Sequence, residues 1–202
     1  MTGFDEHYAS EQQRRSRNRL RRFVKNFYLQ HVLADVKGAS IDFGCGAGQM
    51  LRLLPAGSVG FELNPVLVDA LTREGLVVHR NSGTMQDFDL APLHGNFGTL
   101  VISHVLEHLN DPASALQRLM TACSRLGVQR IIAVVPGLKG YRSDATHNTF
   151  IDRRYAESHF RDLDKEFALS GINYFPGNWE WLGPLYVFHE MKLVFDRRTP
   201  AA

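Results

Sequence analysis

The chain has 202 residues, 44% of them apolar and 22% charged, with a formal net charge of +2. That length suits one domain with a full core, and the overall balance calls for neither a nucleic-acid partner nor a membrane. Cys45 and Cys123 are the only cysteines, which excludes a disulfide framework and a multi-cysteine metal site, and fits a reducing, cytoplasmic setting. The first thirty residues carry no uninterrupted hydrophobic segment, and the longest apolar run, "IIAVV" at 131–135, is far too short to span a bilayer. Neither a signal peptide nor membrane insertion is expected.

Near the N-terminus lies "RRSRNRLRRFVK" (14–25), in which Arg14, Arg15, Arg17, Arg19, Arg21, Arg22 and Lys25 crowd together. Leu20, Phe23, Val24, Phe27 and Tyr28 recur at three- and four-residue steps, so a helix is predicted from about Glu11 to Ala34. Its basic side is read first as the solvated face of an amphipathic helix. A lid over a substrate and a site for an anionic partner are the alternatives.

From residue 40 the pattern changes. "SIDF" (40–43), "SVGFEL" (58–63), "LVVH" (76–79), "TLVIS" (99–103) and "RIIAVV" (130–135) are short runs rich in Val and Ile, suited to strands buried on both faces. Helix signals lie between them. Asn64 and Pro65 open "NPVLVDALTREG", and Gly75 stops it; Asp111, Pro112 and Gly127 repeat the device. Strand–helix alternation predicts a Rossmann-like doubly wound α/β core: a mostly parallel sheet of seven strands with helices on both faces and an extra N-terminal helix. After Pro136 come a polar loop, a helix through 152–171, and two closing strands in "INYF" and "YVFHEMKLVF". The expected organisation is one domain: a basic helical segment (1–36), a cofactor-binding core (37–137), and a substrate loop, helix and closing strands (138–202).

The stretch "ASIDFGCGAGQM" (39–50) puts Gly44, Gly46 and Gly48 immediately after the first strand, where ligands sit in open α/β sheets. Three glycines in five residues favour contact between bare backbone and a ligand. A dinucleotide fingerprint, G-x-G-x-x-G, would place its third glycine at position 49, which is Gln49. Instead the run reads D-x-G-x-G-x-G from Asp42 and resembles the first motif of the class I S-adenosylmethionine-dependent methyltransferases. Glu62, ending the second strand, suits ribose hydroxyls in either cofactor class. "TLVISHVLEHLNDP" (99–112) and "IIAVVPG" (131–137) resemble the fourth- and fifth-strand motifs of the branch of that family acting on small molecules.

The resemblance implies S-adenosyl-L-methionine as cofactor, held by Asp42, Gly44, Gly46, Gly48 and Glu62, with Ser103 and His104 lining its methionine end. Two departures stand out. The helix after Gly48 is cut short by Pro55 and Gly57, and "RNSGTMQDF" lacks the acid that often follows the third strand, so Thr84 and Met85, or Asp87, are expected to take its place. The implied reaction is methyl transfer to a small-molecule acceptor, an oxygen nucleophile, with His147 or His104 as base or substrate ligand. Tyr141 and Asp144 share the loop of His147, while Glu107 and His108 are read as structural, and His189 and Glu190 as sheet residues facing opposite ways. No histidines group at metal-ligand spacing, so no metal is expected. Without Asn/Asp-Pro-Pro-Tyr/Phe or a Pro-Cys nucleophile, nucleic acid is not the expected partner. The rival readings are a nicotinamide-type oxidoreductase and a binding protein that keeps the fold without turnover.

Overall fold

Five of the apolar runs lie side by side in parallel: β1 (Ser40–Phe43), β2 (Val59–Glu62), β3 (Val78–Arg80), β4 (Thr99–Ser103) and β5 (Arg130–Pro136). β6 (Phe167–Phe175) and β7 (Glu190–Arg197) complete a seven-stranded sheet in the order β3-β2-β1-β4-β5-β7-β6, with β7 antiparallel to both neighbours. The computed structural model describes residues 27–198. The arginine run and the predicted helix up to residue 26 lie outside the described residues; residues 27–33 are helical and are called α1.

The crossover helices begin where the sequence signals place them. α2 (Pro65–Arg73) is capped by Asn64, whose Oδ1 accepts from the backbone N–H of Val66 at 2.9 Å. α3 (Pro112–Arg125) is capped by Asp111, which accepts from Ser114 N–H at 3.0 Å. Two shorter helices come later in the chain: α4 (Leu138–Tyr141) and α5 (Arg153–His159).

Alternation along the strands divides the core. Ile41, Phe43, Leu100, Ile102, Ile131 and Ala133 face one way and pack with Leu116, Leu119 and Met120 of α3. Val101, Ile132 and Val134 face the other way and pack with Tyr28, Leu29 and Val32 of α1 and Leu71 of α2. Helices thus cover both faces. The strand order reverses between β1 and β4, so the carboxyl ends of these two strands flank the topological switch point.

Three sequence expectations need correction. The helix expected through 152–171 ends at His159, because Asp164 turns the chain by accepting from the N–H groups of Glu166 and Phe167, at 2.7 and 3.1 Å. Phe167 onward is then drawn out as β6, which pairs with β7 over its length and buries Phe167 and Tyr174. The last strand starts at Glu190, since residues 186–189 belong to the preceding turn. Phe27, expected on the apolar stripe, is 60% exposed; the buried side of α1 is Tyr28, Leu29 and Val32.

Candidate active site

The turn after β1 is built by glycine conformations and by a brace from β2. Gly44, Gly46 and Gly48 have φ of 77°, 53° and 71°, in the left-handed region that other residues enter at a cost. The backbone N–H groups of Gly44 and Cys45 both donate to Phe61 O at 2.9 Å. Glu62 does two jobs: its Oε2 accepts from Gly46 N–H at 2.7 Å and its Oε1 accepts from Asn64 N–H at 2.8 Å. Burial pushes the Glu62 carboxyl up, against the pull of hydrogen bonds from Asn64, Gly46 and Leu63.

The glycines also make room. A Cβ on Gly44 would lie 2.3 Å from Val105 Cγ2, and one on Gly48 would lie 2.5 Å from Leu71 Cδ2. Gly60 on β2, which no motif marks, is needed too, because its Cβ would meet Cys45 Sγ at 2.8 Å. Asp42 is 2% exposed and sits between Gly60 and Val101 in the sheet. The turn leads only into a 3-10 stretch, Leu51–Leu53, as the proline and glycine beyond it implied.

Beyond β3, Asp87 is a scaffold for its own loop. Its carboxylate accepts from the N–H groups of Ser82, Gly83 and Thr84 at 2.8–3.0 Å, and from Ser82 Oγ at 2.9 Å. Of the residues expected there, Thr84 caps the 3-10 turn Met85–Asp89 and Met85 packs against the core.

At the other side of the switch point, Ser103 closes β4 and exchanges a hydrogen bond with the Tyr28 hydroxyl of α1. Burial, then the charge of Glu190, pushes that hydroxyl well above its ordinary range; Asp42 and Glu107 act in the same direction. His104 has a φ of 56°, a rare conformation for a residue with a side chain, and its N–H donates to Val134 O at 2.9 Å. This backbone aims the imidazole between two carboxylates. Nδ1 is 3.1 Å from Glu107 Oε1, and Nε2 is 3.5 Å from Glu190 Oε2.

Glu107 is fully buried in the 3-10 turn Leu106–His108. The loop carrying His147 is stitched onto this turn. Asn148 and Thr149 N–H groups donate to Glu107 O at 2.8 and 3.0 Å, Asn148 Nδ2 donates to His108 O at 2.6 Å, and Thr149 Oγ1 donates to Leu109 O at 2.7 Å. His147 Nδ1 donates to Tyr141 O at 2.8 Å and its ring stacks on Tyr141, which leaves Nε2 3.9 Å from Glu107 Oε1. Asp144 shapes the same loop by accepting from Thr146 N–H at 2.9 Å and Oγ1 at 2.7 Å.

Both histidines named from the sequence are therefore brought together, through a glutamate read there as structural. Glu190 was also passed over. Because β7 is antiparallel, its first residue lies at the same sheet edge as the last residues of β4 and β5, opposite Pro136. An acid at the start of a reversed strand was the available signal. His189 stays outside the cluster: its Nε2 lies 3.1 Å from Trp179 O and its ring stacks on Tyr174.

An open sheet with one reversed strand, a glycine turn after β1 and acids ending β1 and β2 is the class I methyltransferase arrangement that the motifs implied. A methyltransferase-domain family model matches residues 8–163, and the chain belongs to that family. No curated relative matches the sequence. A methyltransferase structure from Archaeoglobus fulgidus, described as S-adenosylmethionine-dependent, superposes with a TM-score of 0.68 at 17% identity, covering 96% of this chain and 100% of that one. The magnesium protoporphyrin IX methyltransferase of Synechocystis, solved with bound S-adenosylhomocysteine, gives 0.63 at 16%, covering 96% of each. The small RNA methyltransferase HEN1 gives 0.62 at 18%, covering 88% of this chain and 25% of that one. These likenesses show a shared fold across different acceptors. No helix among the described residues is long and apolar enough to cross a membrane.

Proposed function

We propose that this chain transfers a methyl group from S-adenosyl-L-methionine to an oxygen nucleophile of a small molecule. The observation that carries the reading is the pairing, across the switch point, of a glycine turn flanked by two buried carboxylates with a histidine set between two further carboxylates.

The turn suits this cofactor better than a dinucleotide. A pyrophosphate rests on the N-terminus of a full helix, whereas here the turn runs into a three-residue 3-10 stretch and the adjoining side chains, Asp42 and Glu62, are anionic. Acids suit a ligand with hydroxyls and a positively charged amino-acid end. Asp42 is assigned to that end, Glu62 to the ribose, Gly44, Gly46 and Gly48 to close backbone approach, Thr84 and Met85 to the adenine side, and Ser103 and His104 to the methionine end. When bound, the cofactor supplies an electrophilic methyl group on a sulfonium.

The chain's own residues then have to position the acceptor and take its proton. His104 is assigned the proton. With Nδ1 3.1 Å from Glu107 Oε1, the neutral ring carries its proton on Nδ1 and leaves Nε2 to accept one, and Glu107 and Glu190 stabilise the imidazolium that results. His147, on the loop above, is assigned to hold the acceptor oxygen. RNA is the competing acceptor because a small RNA methyltransferase shares the fold.

Calorimetry with S-adenosylhomocysteine and with NAD tests the cofactor assignment: binding of the first alone is expected. Asp42→Ala should weaken that binding by about 1–3 kcal/mol through lost hydrogen bonds. Unchanged affinity in the folded variant would remove Asp42 from the site. A radiolabelled methyl-transfer screen over phenols, carboxylic acids and short RNAs then reads the acceptor.

A further inference from the structure

We infer that Glu107, His108 and His147 form a binding site for one divalent first-row transition cation, built between the turn after β4 and the loop after α4. The ligand-capable atoms of these three residues lie within 4.8 Å of one another. Bonds of about 2.0–2.2 Å to a common ion require only small side-chain rotations from there. Two imidazoles and one carboxylate are a donor set that such ions accept while keeping open positions for other ligands.

Three features of the structure separate this cluster from a chance meeting of polar side chains. First, both rings are held in the tautomer a metal needs. A carbonyl oxygen can only accept, and the Thr146 hydroxyl gives its proton to Asp144, so His147 Nδ1, 2.8 Å from Tyr141 O, and His108 Nδ1, 3.2 Å from Thr146 O and 3.1 Å from Thr146 Oγ1, are the protonated nitrogens. In the neutral rings Nε2 therefore carries the lone pair, and a backbone carbonyl behind each ring is the support that ligating histidines receive. Second, Glu107 is fully buried, and its Oε2 has no hydrogen-bond partner among the described residues. An anionic oxygen so placed is costly unless a cation compensates it. His104 Nδ1, at 3.1 Å, serves Oε1 alone, and His147 does not serve, since 3.9 Å from Nε2 to Oε1 is beyond a hydrogen bond. Third, the hydrogen bonds that tie Asn148 and Thr149 to the carbonyls of residues 107–109 fix the two segments against each other, so the donors are positioned before any ion arrives.

Sequence spacing hid the site because His147 lies far along the chain from Glu107 and His108. The inference rests on the methyltransferase reading only for its consequence: an ion here, with open positions, binds and polarises the acceptor oxygen in place of the direct contact assigned to His147.

Chelator-treated protein titrated with Co²⁺ should develop visible d–d absorption saturating at one equivalent, and calorimetry with Zn²⁺ and Mn²⁺ should give the same stoichiometry. His108→Ala and His147→Ala should each weaken binding at least tenfold, while the exposed His94→Ala should not. Circular dichroism verifies that each variant is folded, and His108, the less enclosed ligand, keeps the test open should His147→Ala unfold. No saturable cation binding, or binding unchanged in the folded ligand variants, overturns the site. S-adenosylhomocysteine affinity measured in the same chelator-treated protein separates the two readings: if it binds and cations do not, the cofactor assignment stands without the metal site.

Discussion

Among single residues, Gly44 shows how a motif position answers to more than one constraint. Its φ of 77° asks for glycine, and so does Val105, whose Cγ2 occupies the space of the missing Cβ. Gly44→Ala should cost about 1–2 kcal/mol from the left-handed backbone plus about 1–3 kcal/mol from overpacking. Adding Val105→Ala should return only the packing part. Urea unfolding of the two single variants and the double variant measures both terms. If the double variant is no better than Gly44→Ala, the contact with Val105 is not what excludes a side chain. Glu62 is a similar case. It was legible as an acid ending the second strand, but its grip on Gly46 and Asn64 was not, because a hydrogen bond to a backbone N–H leaves no mark on sequence spacing. Glu62→Ala should therefore lower thermal stability as well as cofactor affinity, which a melting curve and calorimetry with S-adenosylhomocysteine check.

At the level of elements, short apolar runs bounded by Asn-Pro, Asp-Pro and glycine announced β1 to β5, α2 and α3, since caps and strand composition are local properties. The region after α5 was not legible in this way. Residues 160–171 have helical spacing, but pairing with β7 supplies a ladder and buries Phe167, and that long-range gain overrides local preference. Glu190 was hidden for the same reason, because its place depends on which way β7 runs. The loop after α4 adds a testable consequence. Burial would raise the Asp144 carboxyl, but hydrogen bonds from Thr146 outweigh it, helped by His147 and His108, and the net shift is downward. A carboxyl lowered in the folded state contributes stability that is full above its unfolded value of about 3.9 and is lost as pH falls through the lower folded value. Asp144→Asn should thus destabilise by about 0.5–1 kcal/mol near neutral pH, the group being partly solvated. The gap to the unmodified protein should close as pH falls through that lower folded value. Thermal midpoints of both proteins from pH 7 down to 2.5 test the sign; a gap that widens in acid contradicts it.

For the molecule as a whole, the sheet is shared by two apolar layers, and the site lies along the edge where they meet. α3 seals one layer with Leu116, Leu119 and Met120, all fully buried. α1 seals the other with Leu29 and Val32 and at the same time delivers Tyr28 to Ser103. If both layers belong to one cooperative unit, Leu119→Ala and Leu29→Ala should each lower the global unfolding free energy with an unchanged denaturant slope. Leu119→Ala should cost about 2–5 kcal/mol, and Leu29→Ala should fall toward the lower end because its side is less enclosed. If α1 instead docks as a separate unit, Leu29→Ala would leave global unfolding unchanged and raise only the local exchange of amides in α1. Urea denaturation with native-state hydrogen exchange distinguishes these outcomes. The cooperative result also bears on function. An α1 that opens only with the whole fold keeps Tyr28 hydrogen-bonded to Ser103 at the end of β4.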